Sequence, residues 1–86
     1  MKVLVLNCGS SSVKYKLYDD DQQLADGLLE KIGTSQAQLN HTVTGRKKVV
    51  SVHEILEHHA GIELILSTLV DPEKGVLKTI DEIQAV

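Results

Sequence analysis

The sequence predicts an α/β fold, a mixed five-stranded sheet with one packed helix, and three observations predict it. Five stretches before residue 53 carry the apolar patterns of strands, most with a period of two. After Val52 the spacing of apolar residues changes to about 3.6, the period of a helix. Apolar residues make up 42% of the 86, enough for one small core and one domain, residues 1–86. That core is aliphatic, with two tyrosines and neither Phe nor Trp.

Lys2 to Leu6 is almost continuously apolar, which predicts a central strand buried on both faces. Val13, Tyr15 and Leu17 alternate with Lys14, Lys16 and Tyr18, so the second strand has one apolar and one polar face, and the first two strands form a hairpin. Asp19, Asp20 and Asp21 are turn formers that separate it from a third strand over Gln22 to Ile32, weakened slightly by Gly27. Ala37, Leu39 and Val43 alternate with Gln38, Asn40 and Thr42. The turn Thr44-Gly45-Arg46 then leads into a fifth strand over Lys47 to Val52, closing a second hairpin.

Ile62, Ile65, Leu66 and Leu69 stand at i, i+3, i+4 and i+7, the stripe of an amphipathic helix, and Ile55 extends it back. Ser51 and Glu54 have capping-box spacing. Gly61, about 1 kcal/mol worse than alanine inside a helix, instead moves the start toward Glu57 or His58. Asp71-Pro72 ends the helix, because the residue before proline avoids the helical region. Gly75 to Ile80 is expected to be a connection, and Ile83, Ala85 and Val86 the opening of another strand. No turn signal closes that strand, so the domain is expected to be incomplete at its carboxyl end.

Net charge is −3 and the one dense basic cluster, Arg46-Lys47-Lys48, suits a solvated hairpin tip, which argues against a nucleic-acid partner. A single cysteine forms no internal disulfide, and no CxxC pair is present. The amino-terminal apolar run is too short for a signal peptide or a membrane span, so the expected compartment is the cytoplasm, without a membrane partner.

The run Asn7-Cys8-Gly9-Ser10-Ser11-Ser12-Val13-Lys14 carries the chemistry. Glycine lets the backbone approach closely, serine hydroxyls and loop amides donate to anionic oxygens, and a lysine adds a point charge, so the loop suits phosphate. It is not a Walker A loop, which needs a glycine directly before the lysine and a helix after it. No GxGxxG occurs. Each residue also has an ordinary reading: Asn7 suits an Asx turn, Lys14 a solvated strand position, and the serines the loop's own amides. Cys8 reads as a small, partly buried filler. None of the four histidines has the i, i+4 spacing of a metal pair.

At residue level, Met1 to Lys14 resembles the amino terminus of the acetate kinase family, where a strand leads into Asn-x-Gly-Ser-Ser-Ser-x-Lys. Gly27-Leu28, Glu30-Lys31-Ile32-Gly33, His58-His59, Leu69 with Asp71-Pro72, Gly75-Val76 with Lys78, and Glu82-Ile83 with Ala85-Val86 are similar to the same family in the same order. The resemblance covers the whole chain and only the opening portion of the family's. It implies a ribonuclease-H-like fold, shared with sugar kinases, actin and heat-shock ATPases, of which this chain is part of the first half-domain. It implies phosphoryl transfer between ATP and acetate, giving ADP and acetyl phosphate, by a magnesium-dependent homodimeric enzyme. By that resemblance Asn7 matches a magnesium-site residue, Lys14 matches an ATP-contacting lysine, and Ser10 and Ser12 match loop hydroxyls that make phosphate or structural contacts. The catalytic residues fall outside the chain, so alone it is expected to be inactive. Two alternatives stay open: a propionate or butyrate kinase, and a non-catalytic phosphate-binding fragment.

Overall fold

A computed structural model describes residues 1–85, the last by its backbone only. Strands β1 (Lys2–Cys8), β2 (Val13–Asp19), β3 (Gln22–Glu30), β4 (Thr34–Val43) and β5 (Val49–Ile55) precede a single helix, α1 (His58–Leu69), and a short strand, β6 (Ile83–Ala85). They form one sheet in the order β5-β4-β3-β2-β1-β6. Consecutive strands from β1 to β5 pair antiparallel, and β6 lies parallel to β1. The sheet is therefore mixed, with six strands where five were expected. The sixth is the incipient strand seen at Ile83 and Ala85; the expectation for Val86 lies outside the described residues.

Antiparallel register sets residues directly opposite one another on a common face, and one such row runs Leu6, Tyr15, Gly27, His41, Val49. Flanking rows add Leu4, Leu17 and Ala25, and Val13, Leu29 and Leu39, to the same face, and these side chains are buried. α1 covers it with Gly61, Ile65, Thr68 and Leu69, a stripe that keeps Ile65 and Leu69 of the one predicted and takes Gly61 and Thr68 in place of Ile62 and Leu66. Gly61 is the reason: a Cβ there would come within 2.8 Å of Leu29 Cδ2 and also meet Ile32 and Ile55, so glycine lets the helix sit close to the sheet. After α1, Leu77 returns to the core, and the amides of Val76 and Leu77 both donate to Leu69 O at 3.0 Å.

Three expectations are corrected. β1 is not buried on both faces: Leu4 is fully buried but Val5 is 44% exposed, because among the described residues no helix packs on the face that Val5 shares with Asn7. The fifth strand, expected over Lys47 to Val52, is displaced to Val49–Ile55, since β4 is ten residues long and offers Ile55 a partner at Thr34. Ser51 and Glu54 thus lie in a strand and cap nothing; the helix begins at His58 with Glu57 as its N-cap, the alternative start that Gly61 suggested.

Candidate functional site

The serine loop joins β1 to β2 as residues 9–12. Its conformation follows from where its carbonyl groups point. The Gly9 amide donates to Ser12 O at 2.8 Å, closing the turn, and the Ile32 amide donates to Ser11 O at 2.9 Å, tying the loop to the end of β3. His58, in the first turn of α1, has Nε2 2.8 Å from Gly9 O. A carbonyl only accepts, so Nε2 carries the hydrogen. Three of the loop's carbonyl groups are thereby held by protein donors. The amides of Ser10, Ser11 and Ser12 have no such partner among the described residues. With three of its four carbonyl groups held and three successive amides free, the loop can offer donors to an anion.

The structure brings the sequence-predicted residues to one end of the sheet. Asn7 and Lys14 are directly opposed in the β1–β2 register, which places them side by side on the uncovered face, about 5 Å apart at their Cα atoms. Both are exposed. They help line a shallow hollow of about 280 Å³ with Val5, Lys16 and Tyr18. Lys14 also borders a second hollow with Asp26, Glu30, Asn40 and Lys48, where Asn40 Nδ2 donates to Glu30 Oε1 at 3.2 Å. Ser10 is exposed at the loop tip. Ser12 is half-buried and turns its hydroxyl back over Gly9, into the space a Cβ there would occupy. Of the two serines, Ser10 is the freer to meet a ligand.

Cys8 is exposed, not the partly buried filler expected of it. It shares the face of Leu4 and Leu6 but takes the last position of β1, where the chain leaves the sheet. The donor set for a cation is sparse. Asn7 offers one neutral amide oxygen, and among the described residues no group of three or more His, Cys, Asp or Glu gathers for a metal. That suits a magnesium ion held mainly by phosphate oxygens and water, with the protein adding one hard oxygen.

Two features escaped the sequence. His58 read as a helix start and as a histidine without a metal-pair partner, and its contact to Gly9 spans 49 residues. His41 is buried, with Nδ1 2.5 Å from the Tyr15 hydroxyl and Nε2 2.9 Å from Lys74 O. The carbonyl fixes the hydrogen on Nε2, so in the neutral ring Nδ1 accepts from Tyr15. This pair clamps the loop after α1 to the sheet.

Comparison with known proteins gives a consistent result. A sequence profile described as the acetokinase family matches residues 2–86. The acetate kinase of Phocaeicola vulgatus is 53% identical over 88 aligned positions, covering the whole of this chain and 22% of that protein. That of Moorella thermoacetica is 50% identical with the same coverage. The crystal structure of Porphyromonas gingivalis acetate kinase superposes with a TM-score of 0.94 at 47% identity, over 99% of this chain and 22% of that one. A propionate kinase from Francisella tularensis gives 0.71 at 33% identity, over 85% of this chain and 19% of that one. The chain thus spans about a fifth of the length of these relatives.

Proposed function

The chain belongs to the acetokinase family, and from that premise we propose that it is the opening part of an acetate kinase, which transfers the terminal phosphoryl group of ATP to acetate to give ADP and acetyl phosphate. The single observation that carries the local reading is the register that sets Asn7 beside Lys14 at the mouth of a loop with free amides. Phosphoryl transfer needs positioning and neutralisation of charge more than covalent help from the protein. This chain's share is one wall of that site. The Ser10 amide and hydroxyl donate to phosphate oxygens, Ser12 shapes the loop and adds a second hydroxyl, and Lys14 places a cation against the phosphates. Asn7 offers an oxygen to magnesium, which when bound with the nucleotide neutralises phosphate charge. The other charged groups that such a site needs are not found in this stretch of chain.

The whole protein is proposed to act as a homodimer in the cytoplasm; among the described residues no helix is long and apolar enough to cross a membrane. A propionate kinase is the second reading, favoured by the likeness to the Francisella tularensis structure. One or two methylenes in a pocket change preference by about 1–3 kcal/mol, and the residues that would shape that pocket are not those of the serine loop. Assaying the full-length protein with acetate, propionate and butyrate separates the two. Lys14→Ala in that protein is expected to raise the KM for ATP about tenfold or more, the loss of a charge-assisted contact of about 1.5–3 kcal/mol. An unchanged KM for ATP would remove the loop from the nucleotide site.

A further inference from the structure

We propose that His58 is a positioning residue for the phosphate loop: through Gly9 O it fixes the direction of the Ser10 amide. This rests on the reading of the loop as a nucleotide-phosphate site. The argument is one of peptide geometry. The C=O of Gly9 and the N–H of Ser10 belong to one planar unit, and no cis peptide bond occurs among the described residues, so the two point in opposite directions. His58 Nε2 holds Gly9 O at 2.8 Å from the side of α1. The Ser10 N–H is therefore turned away from α1, which packs on the sheet face opposite Asn7 and Lys14.

The same logic holds for two of the loop's other peptides, but with different agents. Ser11 O is fixed by the Ile32 amide and Ser12 O by the Gly9 amide, which orients the Ser12 and Val13 amides in turn. Those two ties are main chain to main chain and belong to the fold. The His58 tie alone runs through a side chain, and it governs the amide of an exposed loop serine. Without it, the Gly9–Ser10 peptide is free to rotate and the phosphate must bear the cost of ordering it. The bond needs only a hydrogen on Nε2, present in both the neutral and the protonated ring. His58 thus acts by direction, with no proton transferred.

The experiment uses the full-length enzyme and compares His58→Gln, His58→Asn and His58→Leu. A glutamine amide nitrogen reaches the place of Nε2, whereas an asparagine amide reaches only that of Nδ1. Expected are a KM for ATP raised about three- to tenfold in the Asn and Leu variants, the range of one lost hydrogen bond, and recovery toward wild type in the Gln variant. The KM for acetate and the melting midpoint should stay nearly unchanged across Gln and Asn. Equal KM values for ATP in the Gln and Asn variants overturn the proposal, and so does a parallel loss in KM for both substrates with a fall in melting midpoint, which marks a merely structural role. If the Leu variant fails to fold, the Gln and Asn pair decides. Lys14→Ala is measured alongside. If it leaves the KM for ATP unchanged, the nucleotide reading fails and this inference with it; if it raises the KM while Asn matches Gln, only the role of His58 is lost.

Discussion

Gly27 stands in the row Tyr15, Gly27, His41, between two larger residues on the buried face. A Cβ there would overlap the Tyr15 ring and its hydroxyl and crowd Asn40 O. The glycine that looked like a weak point in a strand is what lets Tyr15 lie flat toward His41, their ring centroids 6.0 Å apart. Gly27→Ala is expected to lower stability by about 1–3 kcal/mol, as overpacking does, and the urea midpoint measures it. Tyr15 itself carries a pH signature. Burial, with the nearby Asp26 charge adding to it, raises its pKa well above the ordinary 10.0. A raised folded-state pKa means stability complete below pH 10 and lost as pH climbs beyond it. Tyr15→Phe should abolish this alkaline loss relative to wild type, read as the difference between their unfolding midpoints from pH 9 to 11. An equal alkaline loss in both would assign it to other groups. Alternation along β2 marks Tyr15 as buried, yet its partner lies 26 residues away, and no local pattern names it.

At the scale of elements, the hairpins were legible because their signals are local. Aspartates mark the β2–β3 turn, Gly45 the β4–β5 turn, and period-two patterns the strands between. The end of β5 and the start of α1 were not, because two local signals compete there. Ser51 and Glu54 fit a capping box, while Ser51, His53 and Ile55 continue a strand face. The decision is made by β4, whose early residues pair with Ile55, and that pairing is not written near residue 51. Glu57 then takes the cap: its carboxylate oxygens accept from the Ala60 amide at 2.8 Å and the His59 amide at 2.9 Å, answering two of the donors a helix start leaves open. Glu57→Ala is expected to cost about 1 kcal/mol, seen as a lower thermal midpoint and faster hydrogen exchange in the first turn of α1. Ser51→Ala, by contrast, should leave exchange in that turn unchanged. The order of effects would reverse if the capping box operated. β6 was legible only as an incipient strand; its parallel pairing with β1 depends on where the chain returns after Leu77, a long-range matter.

On the scale of the whole molecule the sheet is one-sided. Its covered face holds the core, and its open face holds Asn7 and Lys14; the candidate site was legible as a motif, the face it occupies was not. What the sequence showed less well is how little else stands near that motif. Arg46, the one arginine in the chain, lies on the β4–β5 turn. The serine loop is tied to Ile32, near where β4 begins, so the ten residues of β4 separate loop and arginine by roughly 30 Å. An arginine at that distance cannot neutralise charge on a transferring phosphoryl group, whose equatorial oxygens need cations in contact. Lys14 shares its hollows with Lys16 and Lys48 and with the carboxylates of Asp26 and Glu30, but among the described residues no arginine joins them. The purified 86-residue chain is therefore expected to form no acetyl phosphate from acetate and magnesium-ATP under conditions where the full-length protein turns over. Calorimetric titration of magnesium-ATP should at the same time show weak binding that Lys14→Ala removes. Turnover by the chain alone would mean that the loop, Lys14 and Asn7 suffice for transfer, and would overturn the one-wall reading of the site. Binding indifferent to Lys14→Ala would leave the loop a scaffold turn whose free amides meet only water.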